Sequence, residues 1–266
     1  MTTSEKWLTA GILAIGLPAL AVGGLITYGR TRKPVHPNPT DIPSVIRSEP
    51  ASQWAAAVKE SRETARRELA AQNVPGVSVA VGVGGEIVWA EGFGLANIQT
   101  GARVTPETSF RIGHVSKAIT SAAVGKLIDA GRINIDEPIQ TYVPEFPEKE
   151  WPVTLRQLMG HTAGIRHYAD TEWGDKPANH CDRASEGVPV FAGDPLMFKP
   201  DSQFRYSTYG WVLVSAAVET VAGEPFSQFM SKAIFEPARM ADTSFDAPAE
   251  SIPNRATSYF RNNFNH

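Results

Sequence analysis

One cysteine among 266 residues, Cys181, excludes an internal disulfide framework, and no papain-type or caspase-type signature surrounds it to mark a nucleophilic thiol. Charge is sparse too, with 20% Asp, Glu, Lys and Arg and a formal net charge of -3. No basic stripe gathers in this chain, which excludes the electrostatic footprint of a nucleic-acid binder. Metal-ligand spacing is absent as well. His161, His167, His180 and Cys181 match no standard site, so neither a metal nor a cofactor is expected. There is no internal repeat. What remains is an ordinary hydrophobic content of 42% in a chain long enough for one large domain or two small ones.

The scarce charge is unevenly placed. Residues 1–33 hold Lys6, Arg30, Arg32 and Lys33 against Glu5, leaving 21 basic and 27 acidic side chains beyond them. Trp7–Tyr28 carries no formal charge over 22 residues, and a helix needs roughly 20 apolar residues to span a bilayer core. A signal-peptide apolar region is shorter, roughly 7–15 residues, and no small-x-small site closes this run. Residues 1–29 are therefore expected to be a transmembrane anchor rather than a cleaved signal segment. Arg30, Arg32 and Lys33 outweigh Lys6, which by the positive-inside rule puts the following domain in the cytoplasm. A secreted-side hydrolase needs the opposite orientation.

Pro34, Pro37, Pro39, Pro43 and Pro50 make residues 30–50 an expected extended, semi-rigid linker. The folded domain is placed at 51–266. Within it, 54–72 reads as a helix stopped by Val74-Pro75-Gly76, and 77–83 as a strand. Gly84-Gly85 is a two-residue hairpin signal, with 86–90 as the returning strand. Helices are expected at 116–130, 154–160, 208–222 and 225–235, the last opening on Pro225. A helix, a hairpin and then mainly helices predict a mixed α/β (α+β) fold.

In Gly113-His114-Val115-Ser116-Lys117, position 114 lies at a helix start and Lys117 one turn on, so the amine can fold back towards it. That is the spacing of an S-x-x-K pair, in which a neutral lysine makes a serine hydroxyl nucleophilic and helix-end N–H groups support the oxyanion. Here His114 occupies the serine position. Alone the spacing is weak, since a capping residue and a solvated lysine give the same pattern. Downstream, Tyr206 precedes a helix, and a phenol near a lysine can relay a proton.

Several ordered segments share a resemblance: Tyr142 to Lys149, Gly164-Ile165-Arg166-His167-Tyr168, Asp194 to Pro200, Tyr206-Ser207-Thr208 and Asn254-Arg255-Ala256. Through them the chain resembles, over about 51–260, the serine β-lactamase-like family of class C β-lactamases, penicillin-binding proteins and related esterases. Within that family the likeness is to the mitochondrial serine β-lactamase-like branch and its bacterial relatives. The resemblance implies an antiparallel sheet flanked by helices beside a helical subdomain, with the catalytic groups in the cleft between. It makes Lys117 the motif base, Tyr206 the tyrosine of the second motif and His114 the occupant of the nucleophile position. Thr208 stands where many relatives have asparagine. A third motif of the Lys-Thr-Gly or His-x-Gly type is not found, so the domain is expected to be incomplete at its C-terminal side. His161-Thr162-Ala163-Gly164 falls in the turn upstream of the second motif and does not replace it.

Imidazole can attack an acyl carbon, yet its reactive nitrogen lies farther from the backbone than a serine oxygen. A misplacement of about 1 Å costs on the order of a hundredfold, which argues against efficient histidine catalysis. Ser116 points about 200° around the helix from position 114 and is a poor substitute. Three expectations follow. One is a hydrolase of amide, ester or peptide bonds, acting through an acyl-enzyme and impaired at His114. Another is a membrane-tethered module that binds a small acyl or peptide ligand, or assembles, without turnover. The third is a truncated product with an exposed sheet edge. Self-assembly into an oligomer stays open.

Overall fold

The computed structural model describes residues 34–169, 172, 181–245 and 252–259. They form two units, one of the described residues up to Arg111 with 252–259, the other from Ile112 to residue 245. The apolar run Trp7–Tyr28 and His180 lie outside the described residues. Among the described residues, no helix is long and apolar enough to cross a membrane.

In the first unit the expected hairpin forms. Strands β2 (Gly76–Val83) and β3 (Glu86–Asn97) pair antiparallel, with Val77 opposite Phe93 and a register slip between Val81 and Gly82. Gly84 and Gly85 both have positive φ, 61° and 86°, as a two-residue turn matched to strand twist requires. β1 (Ser44–Ile46) lies on the other side of β3, and β4 (Ala102–Arg103) pairs with the end of β3 at Leu95. Helix α1 (Ala55–Gln72) covers this sheet and ends at Asn73 in the left-handed region. Side chains alternate along β3, so Trp89, Glu91 and Phe93 share the helix-facing side and pack with Ile42, Val58 and Leu69. The buried Glu91 carboxylate is tolerable because Arg62 Nε donates to it at 2.6 Å and Trp89 Nε1 at 2.8 Å.

The proline-rich stretch differs from the expected spacer over its described part. His36 is buried with Nε2 donating to Pro75 O at 2.7 Å, and Val35 N donates to Asn73 Oδ1 at 2.8 Å. Ile42 enters the core, and β1 starts seven residues before position 51. Proline is tolerated at the first position of a helical turn and beside an edge strand: Pro39 opens a 3-10 turn at Pro39–Asp41, and Pro43 leads into β1 with its carbonyl accepting from Gly94 N at 2.9 Å. Segment 252–259 also belongs to this unit, with Ser109 N donating to Asn254 O, Ala256 N to Ser109 O and Thr257 N to Ala96 O.

Gly94 carries the tightest contact of the sheet. Its φ is +74°, and a Cβ there would lie 2.2 Å from Pro75 O and 3.0 Å from His36 Nε2. Gly94→Ala is expected to cost on the order of 3 kcal/mol, combining a left-handed backbone penalty with overpacking against a carbonyl. A lowered urea midpoint, with the Trp89 environment lost first, is the measurement.

The second unit is helical. Helix α2 (Ser116–Asp129) follows a 3-10 turn at Gly113–Val115, and α3 (Leu155–Met159) opens on a capping box between Thr154 and Gln157. α4 (Pro189–Ala192) is a single turn. α5 (Thr208–Ala222) is the central element, with Leu213, Val214, Ala216, Ala217 and Val218 wholly buried. Ser207 caps it, its Oγ accepting from Gly210 N at 3.0 Å. α6 (Phe226–Met230) then runs into a π turn at Ser231–Phe235, so the expected single helix over 225–235 changes pitch part-way.

Candidate active site

Position 114 lies on the 3-10 turn that feeds α2, and Lys117 follows in the first helical turn. Both helix-start residues that might compete are occupied or absent as caps. Val115 makes no side-chain cap, and Ser116 Oγ donates to Gly113 O at 2.7 Å. Ser116 is thereby tied to its own turn.

Tyr206 is where the expected residues meet. Lys117 Nζ donates to Tyr206 Oη at 2.9 Å, and His114 Nδ1 lies 2.7 Å from the same oxygen. The His114 ring stacks on the phenol with centroids 5.4 Å apart and planes 15° apart. Lys117 Nζ also stands 4.9 Å above the Tyr206 ring and 5.8 Å from that of Trp211. Among the described residues no carboxylate pairs with Lys117. The three residues chosen from sequence, His114, Lys117 and Tyr206, thus form one hydrogen-bonded chain within the second unit.

Two further histidines complete the cluster. The ring of His161 lies 4.6 Å from that of Tyr206, and His167 meets Tyr206 edge-on at 5.3 Å. Ser207 N donates to His161 Nδ1 and Thr208 N to His167 Nδ1, each at 3.1 Å. A backbone N–H has no lone pair, so both Nδ1 atoms must accept and both protons sit on Nε2. Ser207 Oγ adds a bond to Arg166 O at 2.7 Å. These contacts link residues some 40 positions apart, and no local sequence signal marks them.

Burial and the Lys117 ammonium push both imidazoles below the ordinary histidine value of 6.5. A depressed histidine value means the unfolded chain binds protons first. The stability given by the neutral rings is therefore complete above about pH 6.5 and is lost as pH falls below it. The urea midpoint is expected to drop between about pH 7 and pH 5. A double variant, His161→Asn with His167→Asn, keeps an acceptor in place without titrating, and should flatten that slope.

The exit from this turn is clamped. Arg166 donates to Glu172 through Nη1 and Nη2 at 2.7 and 2.9 Å and to Asp194 through Nε at 2.5 Å, with its guanidinium 5.0 Å from the Tyr209 ring. Glu172 is held down at about 2 by those bonds. Cys181 is exposed, and partial desolvation together with Glu186 and Asp182 raises its thiol, away from thiolate chemistry. Among the described residues, no three His, Cys, Asp or Glu side chains are placed to hold a metal ion.

The sequence model of the β-lactamase family matches residues 61–265. The chain belongs to the β-lactamase family. It is 31% identical over 276 residues to the mitochondrial serine beta-lactamase-like protein LACTB of Homo sapiens, covering 79% of this chain and 50% of that protein. Among solved structures, the octameric penicillin-binding protein homologue of Pyrococcus abyssi is 28% identical, with a TM-score of 0.65 over 76% of this chain and 48% of that one. A class C β-lactamase shares the fold at 20% identity and a TM-score of 0.67, over 80% of this chain and 58% of that one. The chain spans about half the length of the curated LACTB relatives it matches. Its mixed α/β architecture, an antiparallel sheet with helices, is that of the β-lactamase and transpeptidase fold.

Proposed function

We propose that this chain is a β-lactamase-family hydrolase relative whose acyl-enzyme chemistry on amide, ester or peptide bonds is curtailed by His114. Lys117 acts as the base and Tyr206 as the proton relay, and the ligand is a small acyl or peptide compound. One observation supports the reading most directly. Tyr206 Oη sits within bonding distance of both Lys117 Nζ and the side chain at position 114, where a nucleophile must exchange its proton.

A second reading is favoured by the ring stack at position 114. The imidazole lies flat against the phenol, which suits a module that holds an acyl or peptide ligand without turnover. In that reading residues 1–29 tether it to a membrane, with the folded part on the extracytoplasmic side. Assaying the full chain and its His114→Ser variant with a chromogenic β-lactam, short acyl esters and peptides separates the two. Turnover gained by the variant supports the hydrolase reading, whereas binding without turnover in both forms supports the module. Protease protection of the full chain in membranes tests the tether and its side.

A further inference from the structure

His161 grips the chain on both sides of Tyr206. Its carbonyl accepts from Arg205 N at 2.9 Å and its Nδ1 from Ser207 N at 3.1 Å. His167 extends the grip, its Nδ1 accepting from Thr208 N at 3.1 Å. We propose that His161 and His167 form a proton-operated latch, closed while both rings are neutral and Tyr206 Oη is seated against Lys117 Nζ, and released when the rings protonate. Its consequence for activity rests on the reading of Lys117 as base and Tyr206 as relay.

The latch is built on a strained turn. His161 has a φ of +60°, a left-handed conformation that persists in a residue with a Cβ only where its surroundings over-determine it. The turn is fastened to α3 by His161 N donating to Leu158 O at 3.2 Å and Thr162 N to Gln157 O at 2.9 Å. On its other side the bonds to residues 205 and 207 complete the hold. Protonating Nδ1 sets an N–H against the N–H of Ser207, so that bond cannot survive and the strain is no longer opposed from that side. The same event at His167 releases Thr208 N. Tyr206 lies directly between the amides and the carbonyl that let go.

The charges around the rings set the direction of the switch. From α2 and the turn before it, Lys117 acts on both imidazoles and His114 on that of His167. From the segment leading into α5, Tyr206 meets the rings at 4.6 and 5.3 Å, and Arg205 bonds His161 through its backbone. Beside His167 stand the Tyr168 ring at 3.8 Å and Arg166, whose Nη1 donates to His167 O and whose charge is matched by Glu172 and Asp194. Lys117, by contrast, pairs with no carboxylate among the described residues. Protonation therefore adds two positive charges beside an uncompensated ammonium. Burial, then Lys117, already holds both rings below 6.5, so the latch is closed at neutral pH and opens in mild acid.

The test follows the full chain by NMR from about pH 7.5 to about pH 5, across the histidine range. Its readouts are the hydrogen-exchange protection of the Ser207 and Thr208 amides and the ring carbon resonance of Tyr206, assigned through Tyr206→Phe. Corrected for exchange chemistry, protection should fall by on the order of tenfold per pH unit for each ring that gains a proton on release. The Tyr206 resonance should shift with the same midpoint, below 6.5. His161→Asn and His167→Asn should each remove one proton from that dependence, and the double variant should hold both readouts level. His114→Ala, which removes the other imidazole bonded to Tyr206, should keep the transition, and far-ultraviolet circular dichroism should stay constant through it. A Tyr206 resonance that stays put while the rings protonate overturns the proposal. So does a transition that survives in the double variant, vanishes in His114→Ala or coincides with loss of helix. The hydrolase reading fails separately. If His114→Ser is not acylated by a β-lactam yet Tyr206 is released in acid, the latch stands and that reading falls. Acylation with Tyr206 seated at every pH does the reverse.

Discussion

His114→Ser is expected to raise acylation by a chromogenic β-lactam by on the order of a hundredfold or more over the native chain. Serine puts an oxygen one bond from Cβ at the start of α2, within the turn that already brings Lys117 back towards this position. Removing the ring also frees Tyr206 Oη from its 2.7 Å bond while leaving the 2.9 Å bond from Lys117 Nζ intact. Base and relay then act on a hydroxyl rather than on an imidazole whose reactive nitrogen is displaced. A mass increase on the intact variant, equal to the opened β-lactam and absent from His114→Ser combined with Lys117→Ala, is the measurement. A folded serine variant with neither adduct nor turnover would show that Lys117 and Tyr206 are not a working base and relay.

Glu219→Ala is expected to destabilise the second unit by about 3–5 kcal/mol, the usual cost of emptying one side of a buried charged network. The side chain is 1% exposed on α5 and accepts from Ala184 N at 3.2 Å, Phe226 N at 3.0 Å and Ser185 Oγ at 3.1 Å, with Arg183 Nε 3.2 Å away. It ties the 3-10 turn at Ala184–Gly187 and the first residue of α6 to one carboxylate. Burial raises Glu219, but the backbone donors Phe226 and Ala184, then Ser185 and Arg183, outweigh it and hold the group below its ordinary 4.5. Its contribution is therefore present above about pH 4.5 and lost as pH falls through the lower, folded value. Glu219→Gln keeps an acceptor and should lose less than alanine, and should not share the acid-side loss. Urea unfolding of all three chains at neutral and acid pH measures both effects.

The long elements are legible because each carries its own punctuation. α1, α2 and α5 lie within about two residues of the helices expected from periodicity and stops. β3 is longer than expected because Gly92 and Gly94 look like strand breakers, yet the sheet uses them where Val104 and Pro75 press on the backbone. β1 has three residues and no alternation to read, and only pairing with β3 makes it a strand. The site divides in the same way. His114, Lys117 and Tyr206 stand in short motifs next to helix starts, where spacing and resemblance mark them. His161 and His167 act as acceptors for the amides of residues 207 and 208, and such a partnership exists only after the chain has folded.

The tripeptide Tyr206-Ser207-Thr208 is held from several separate stretches of chain: Lys117 on α2, His161 in the turn after α3, Arg166 and His167 in the exit from it. His114, by contrast, meets that tripeptide through one ring and one hydrogen bond. Architecture and reactivity are thus separable in their tolerance of change. A replacement at 206–208 disturbs many anchors at once, whereas a replacement at 114 leaves the frame standing. A lineage can exchange the residue at 114 and keep the frame around it, and a designer can do the same by varying that single position.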